Sequence, residues 1–195
     1  MLKPAIFLDR DGTIIADIGY LKKSQDVIFF PETFTSLQRL QEIFQLFIIT
    51  NQSGISKGIT TENEVKLVNN YIVETLKSKG IIISHVFCCP HTNEDNCICK
   101  KPKPFFIQQA TKLYNLNLEY SYIIGDHPSD VECGINGKIK PIYVLTGHGE
   151  KHKNELNSEC VICDNIAKAS KYIIETQTIN ILNNGQSSTI TEQHY

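Results

Sequence analysis

Short apolar runs alternate along this chain with longer segments in which apolar positions recur at helical spacing. Residues 4–8, 46–49, 85–88, 120–124 and 141–145 read as strands, each bounded by turn-forming or charged residues. The apolar run holding Cys160 and Cys163 reads as a late strand, with ordinary buried cysteines. The clearest helix covers 62–79: Thr61 and Glu64 make a capping box, Val65, Val68, Ile72 and Leu76 form the stripe, and Gly80 ends it. Helices are also expected over 33–44, over 104–114 with Pro104 at a first-turn position, and over 164–175. Strands that alternate with helices predict an α/β fold built on a doubly wound, Rossmann-like parallel sheet.

Composition narrows this picture. The 195 residues, 41% hydrophobic and 21% charged, suffice for one ordinary domain with a sizeable core. Apolar runs fall far short of the length a transmembrane helix needs, and the first ten residues reach charged positions too soon for a secretory h-region. A cytoplasmic, soluble monomer is expected. Nineteen basic against 21 acidic residues give a net charge of −2, so neither a nucleic acid nor a membrane is an expected partner. From Gln177 onward the chain is rich in Asn, Ser, Thr and Gln, which divides it into a compact domain, 1–176, and a polar, flexible tail, 177–195.

Candidate chemistry gathers at strand ends, which face the ligand crevice in an open α/β sheet. The first strand runs into Asp9-Arg10-Asp11-Gly12-Thr13, where one carboxylate can act as nucleophile while the other carries a proton. Arg10 could help present this backbone, pair at the surface or simply pack. The second strand ends in Thr50-Asn51-Gln52-Ser53-Gly54, a hydroxyl and amides suited to phosphate oxygens. A later strand ends in Gly125-Asp126-His127-Pro128-Ser129-Asp130, whose carboxylates suit a hard divalent cation. Lys101 lies between them in sequence, a cation able to neutralise phosphoryl oxygens.

Seven cysteines, an odd count, argue against a disulfide framework, and four of them fall within twelve residues. Cys89, His91, Cys97 and Cys99 offer three thiolates and an imidazole, a set suited to tetrahedral Zn2+ with no open position. Such a zinc is structural and stiffens the loop that carries Lys100 and Lys101. Cys88 breaks the spacing and is expected in the core.

These motifs resemble the haloacid dehalogenase (HAD) superfamily of phosphotransferases: Asp9 to Thr13, Thr50, Lys101, and Gly125-Asp126 with Asp130 match its four motifs. More narrowly, Asp17-Ile18-Gly19-Tyr20, Thr50 to Ile55, Cys89-Pro90-His91, Cys97 to Pro102 and Thr146-Gly147-His148-Gly149 are similar to the heptose-bisphosphate phosphatase and histidinol-phosphatase branch. The resemblance implies an aspartyl-phosphate on Asp9, with Asp11 as general acid and then base. It implies Mg2+ on the Asp9 carboxylate, the Asp11 main-chain oxygen and Asp126. Thr50 and Lys101 would hold the phosphoryl oxygens, and Asp130 would support them. Substrate contacts would come from Asp17, Ile18, Gly19, Tyr20, Asn51, Gln52, Ser53, Lys100 and His127.

Three positions depart from the family pattern: His127 where Lys is common, Lys100 where Arg is usual, and Asn136 for a common Ala in the turn around Gly134. The gaps after Asp11 and Thr50 are too short for an inserted cap domain of ~50 residues or more. An open site gripped by loops 16–23 and 52–58 and by the zinc loop follows. The leading function is that of a sugar-bisphosphate phosphatase of the heptose type, serving surface polysaccharide. Histidinol-phosphate phosphatase is the alternative. A polynucleotide 3'-phosphatase and a silent zinc-stabilised binding module rank below both.

Overall fold

The central apolar runs become strands because both of their faces meet a hydrophobic layer. In the computed structural model, which describes residues 2–187, the strands are β1 Lys3–Leu8, β2 Gln45–Asn51, β3 Ile83–Cys89, β4 Leu116–Gly125, β5 Lys140–Val144 and β6 Val161–Cys163. The helices, in chain order, are α1 Thr33–Gln41, α2 Glu62–Ser78, α3 Phe105–Tyr114, α4 Pro128–Asn136, α5 Gly149–His152 and α6 Ile166–Ser187. The strands form one sheet in the order β3-β2-β1-β4-β5-β6, with every neighbouring pair parallel.

Ile6, Leu8, Leu46 and Ile48 point to one layer, where Leu37 and Leu40 of α1, Val68, Ile72 and Leu76 of α2 and Ile173 of α6 cover them. The intervening Ala5, Phe7, Phe47 and Ile49 point to the other layer, covered by Ile107 and Ala110 of α3 and Cys133 of α4. Burial on both faces is why these strands read as continuous apolar runs rather than as alternations. Truncating one of these fully buried side chains to Ala costs about 2–5 kcal/mol, since the layer cannot close the hole.

Local signals hold where they were strong. Thr61 Oγ1 accepts from the Glu64 amide at 3.2 Å and Glu64 Oε2 accepts from the Thr61 amide at 2.7 Å, the capping box that starts α2. Pro104 sits just before α3 as its cap residue, and α1 ends at Gln41, earlier than its pattern suggests.

Four expectations change. First, β4 begins at Leu116, ahead of residue 120, across a register shift opposite Pro4 and Ile6. There Ser121 Oγ accepts from the Ala5 amide at 2.9 Å and replaces the broken ladder. Second, the expected turn around Gly134 is part of helix α4, and a Cβ at Gly134 would lie 2.5 Å from Ile123 Cγ2, so Gly here allows close packing on β4. Third, residue 177 does not start a tail: α6 runs through it to Ser187, and buried Gln177 reaches the Tyr122 hydroxyl at 3.3 Å. Residues 188–195 of the expected tail lie outside the described residues. Fourth, Cys88, Cys160 and Cys163 are half-buried rather than core residues.

The strand order reverses between β1 and β4, so connections diverge there and leave a crevice at the carboxyl ends of the strands. The loops after β1, β2, β3 and β4 all open into it. Among the described residues no separate domain is inserted between these elements, and no helix is long and apolar enough to cross a membrane.

Candidate active site

Asp9 is the first residue beyond β1, and its amide donates to Ile124 O of β4 at 2.9 Å, which pins the loop to the switch point. Lys101, 4% exposed, comes from the loop after β3. Its Nζ forms an ion pair with Asp9 Oδ1, lies 2.5 Å from Asp130 Oδ1 and donates to Ile49 O at 3.1 Å. Asp130 sits in the first turn of α4 and also accepts from the His127 amide at 3.1 Å, closing a second capping box. Asp126 Oδ2 accepts from the His148 amide at 2.7 Å. A Cβ on Gly12 or on Gly147 would collide with that same carboxylate, and both glycines have positive φ. These two positions need glycine for the approach as well as for the turn.

Asp9, Asp126 and Asp130 place carboxylate oxygens within 4.8 Å of one another. Burial pushes the Asp9 carboxyl well above its ordinary range; Lys101 opposes this, and Asp130, Asp126 and Asp11 add to it. Burial, and then the charge of Asp130, raise Asp126 to about 7. Burial alone would lower Lys101, but Asp130 and Asp9 raise it, so it remains a cation. Three clustered carboxylates against one ammonium leave negative charge uncompensated in a poorly hydrated place. A hard divalent cation with oxygen ligands fits that set.

A cavity of about 750 Å³ opens above this centre. Asp11, Asp17, Gly19, Tyr20, Thr50, Asn51, Gln52, Ser53, Lys100 and His127 all border it, whereas Ile18 does not and is exposed. Several of these residues also hold the site itself. Asn51 Oδ1 accepts from the Lys101 amide at 3.1 Å, and its Nδ2 donates to Lys101 O at 3.3 Å, a reciprocal clamp between β2 and the next loop. Gln52 Nε2 donates to Thr50 Oγ1 and to Asp11 Oδ2, each at 2.8 Å. His127 Nδ1 accepts from the Ser129 amide at 3.2 Å, and burial lowers the pKa of its ring, which favours a neutral cap over a second cation.

The rim is joined across loops. The Tyr20 ring lies against Gly54, where a Cβ would meet Tyr20 Cδ1 at 2.6 Å, and Lys57 Nζ donates to the Tyr20 hydroxyl at 3.1 Å. Asp17 Oδ1 accepts from the Gly19 amide at 2.7 Å, and its Oδ2 pairs with His148 Nε2 at 3.0 Å. Asn93 and His148 also border the cavity and were not singled out as contacts from sequence. Asn93 lies between His91 and Cys97 without a signal of its own. His148 had one, as part of Thr146-Gly147-His148-Gly149.

Beside the cavity, Cys89, His91, Cys97 and Cys99 converge with ligand atoms within 4.8 Å of one another. The Sγ atoms of Cys89 and Cys97 are 3.7 Å apart, those of Cys97 and Cys99 3.8 Å, and His91 Nδ1 is 3.6 and 3.4 Å from the sulfurs of Cys89 and Cys99. Corners of a tetrahedron with metal–sulfur bonds of ~2.3 Å are ~3.7 Å apart, so these separations suit one closed ion. The 3.0 Å between Cys89 and Cys99 is the tightest of them. Burial acts to raise the Cys97 thiol, but hydrogen bonds from the backbone at Lys100 and Cys99 bring it down to about 7. Burial and the Cys99 thiol push Cys89 up. Cys88 stands outside the group, with its thiol raised to about 11 by burial.

The parallel sheet and the acidic centre at its switch point define a hydrolase of the HAD type, and comparison with known proteins agrees. The HAD-hydrolase-like family model matches residues 98–169. The D-glycero-beta-D-manno-heptose-1,7-bisphosphate 7-phosphatase of Helicobacter pylori J99 is 40% identical over 144 residues, covering 73% of this chain and 83% of its own. The alpha-anomer 7-phosphatase of Photorhabdus laumondii is 32% identical over 176 residues, 86% of this chain and 94% of its own. Among solved structures, D,D-heptose 1,7-bisphosphate phosphatase from B. bronchiseptica, complexed with magnesium and phosphate, superimposes with a TM-score of 0.82 at 25% identity, covering 89% of this chain and 99% of that one. The chain belongs to the heptose-1,7-bisphosphate 7-phosphatase family of HAD hydrolases.

Proposed function

We propose that this protein removes the 7-phosphate from D-glycero-D-manno-heptose 1,7-bisphosphate, leaving the 1-phosphate for nucleotide-activated heptose and surface polysaccharide. The observation that carries this reading is the buried Asp9–Lys101–Asp130 array at the base of an open cavity, with a second cation, Lys100, at its border. A reacting phosphate and a distal phosphate thus each have a cation to meet. Relatives named for either anomer support the sugar but leave the anomer open.

Asp9 attacks phosphorus in line, the bond to the sugar oxygen breaks, and Asp11 gives its proton to the departing alkoxide. Asp11 then takes a proton from water, whose oxygen attacks phosphorus and breaks the bond to Asp9, releasing phosphate. Thr50 and Lys101 hold the equatorial oxygens, and positioning supplies most of the rate in such transfers. Asp9, Asp126 and the main-chain oxygen of Asp11 would hold Mg2+, which neutralises charge on the phosphoryl oxygens when bound. Cys89, His91, Cys97 and Cys99 would hold a structural Zn2+ that fixes the loop delivering Lys100 and Lys101. Thiols committed to such a metal suit the reducing cytoplasm.

The test is a phosphate-release panel on purified protein with Mg2+. The expected result is a higher kcat/KM for at least one heptose bisphosphate anomer than for histidinol phosphate, whose cationic amine and imidazole would face Lys100. A higher kcat/KM for histidinol phosphate than for both anomers would overturn the substrate assignment and leave the phosphatase chemistry standing.

A further inference from the structure

Arg10 lies between the two catalytic carboxylates in sequence, yet its side chain is buried, only 1% exposed and the largest such side chain among the described residues. It leaves the active-site loop, reaches α2 and folds back on its neighbour. Its Nη1 donates to Asn69 Oδ1 at 2.7 Å, its Nε to Asp11 Oδ2 at 3.0 Å and its Nη2 to Asp11 Oδ1 at 3.0 Å, with Nη2 also 2.7 Å from Oδ2. Asn69 is itself 9% exposed, in the middle of α2. Gln52 completes the arrangement by donating to Asp11 Oδ2 at 2.8 Å, so both oxygens of Asp11 are held by side chains from outside the active-site loop's own backbone.

A buried guanidinium is costly unless its donors are met, and an apolar residue of similar volume would fill the same space at less cost. Packing alone therefore does not explain an arginine here. The guanidinium also has a geometric property that a lysine lacks: two of its nitrogens reach both oxygens of the carboxylate at once, which restrains the carboxylate's orientation as well as its distance. Asn69 in turn fixes the fork, because it binds the one nitrogen that Asp11 does not use.

We propose that Arg10, anchored by Asn69 of α2, is the positioning residue for Asp11, holding the carboxylate in the plane from which it takes the proton of the attacking water. The inference rests on the assignment of Asp9 as nucleophile and Asp11 as acid and base. It makes α2, which contributes nothing to the phosphate-binding loops, part of the reaction through one amide.

The two half-reactions separate this role from a structural one. p-Nitrophenyl phosphate needs no proton for its leaving group, so phosphorylation of Asp9 by it proceeds without Asp11, whereas hydrolysis of the phosphoenzyme does not. Asn69→Leu should lower steady-state turnover of this probe about tenfold, a fraction of what general base catalysis supplies. A rapid burst of nitrophenolate, close to one equivalent per chain, should appear together with trapped phosphoenzyme. Asn69→Asp, which keeps the acceptor, should restore turnover and abolish the burst. Arg10→Lys, which keeps the charge and loses the fork, should reproduce the burst and serves if Asn69→Leu does not fold. A drop in turnover with no burst in either variant, turnover within twofold of wild type, or an Asn69→Asp variant no better than Asn69→Leu would each overturn the proposal. Asp9→Asn in the same assay tests the underlying reading separately: turnover near wild type there would remove the nucleophile itself.

Discussion

The acidic centre and the cysteine–histidine loop both crowd ionisable groups within 4.8 Å of one another, but the chain builds them by different means. The centre draws Asp9, Lys101, Asp126 and Asp130 from three separate segments: Asp9 and Asp126 follow strand ends, Asp130 sits at a helix start, and Lys101 comes from the loop between β3 and α3. It contains its own cation, and backbone groups of Ile49, Ile124, His127 and His148 hold the side chains or their loops. The loop draws its four residues from one stretch that starts with the last residue of β3, with Cys97 and His91 half-buried and a local turn at Thr92 and Asp95. Its thiols oppose one another: Cys97 sits at about 7 while Cys89 is pushed up by burial and by Cys99. A sheet edge can hold charge in place without a metal, whereas a short loop of thiols has little else to shape it. The difference predicts that the two regions fail differently.

The largest effect should come from Asp9→Asn, which removes the nucleophile while keeping its shape. Turnover should fall on the order of 10⁴-fold or more, and the metal-free protein should melt no lower than wild type, because one uncompensated buried charge has gone. Steady-state kinetics and thermal melting in EDTA check both halves. Turnover near wild type would mean that the centre is not where bonds are broken.

Cys97→Ser tests the other region. One tightly bound zinc per chain should be lost, the melting temperature should drop, and turnover should fall on the order of 10²-fold as the loop carrying Lys101 shifts by about an ångström. Added Mg2+ should restore wild-type protein after mild EDTA treatment but not this variant. A zinc-free protein with full activity and full thermal stability would erase the contrast between the regions.

A smaller effect concerns pH. The carboxyls of Asp9 and Asp126 are raised in the folded, metal-free protein, so the folded state binds more protons than the unfolded chain between about 4 and about 7. Stability from these groups is therefore complete below the ordinary carboxyl range and is lost as pH rises through their raised values, about 7 for Asp126. Mg2+ should stabilise more at pH 8 than at pH 5; at a hundredfold excess over its pH 8 Kd, the stabilisation at pH 8 is ~2.7 kcal/mol, or roughly 5–10 °C. Scanning calorimetry at the two pH values decides it; an equal shift at both would contradict the charge balance derived for the centre.

The smallest effect belongs to Lys100, which borders the cavity from the loop and has no role in the centre. Lys100→Ala should raise KM for the bisphosphate about tenfold, an interaction of ~1.4 kcal/mol, and change KM for a small monophosphate much less. Equal changes in both would place the distal phosphate elsewhere on the rim.

What could be read from sequence followed the physics of each element. β1, β2 and β5 were legible because burial on both faces leaves uninterrupted apolar runs. α4 was not, since Pro128–Asn136 carries few apolar residues, although His127, Pro128 and Asp130 form a start signal. The length of α6 was hidden by the weak helix formers Thr176 and Thr178 and by a polar composition around Gln177, which tertiary contacts override, as the Gln177–Tyr122 bond shows. At the site, the chemistry-bearing residues were visible because strand ends announce them. The links between them were not: Asn51 and Gln52 read as phosphate ligands, and their hydrogen bonds to Lys101, Thr50 and Asp11 depend on pairings across the fold. Asn69 did carry a signal that was passed over: four residues after Val65 and three before Ile72, it is a polar residue on the apolar stripe of α2.

The central place of β1 bears on how the chain comes off the ribosome. Its partner on one side, β2, follows after a few tens of residues, but on the other side Ala5 bonds to Ser121, 116 residues later. The half-sheet of β1, β2 and β3, and the whole cysteine–histidine loop, therefore emerge while the second edge of β1 is still bare. That edge is apolar and unpaired, the kind that recruits strands from other chains. A chain that has emerged only as far as the stretch between Lys101 and Leu116 would already have its cysteine–histidine loop and its lysine outside, yet would lack the strand that both seals the edge and brings Asp126. Closure of the sheet and completion of the centre are then a single event, so an unsealed, aggregation-prone chain cannot also be a working phosphatase.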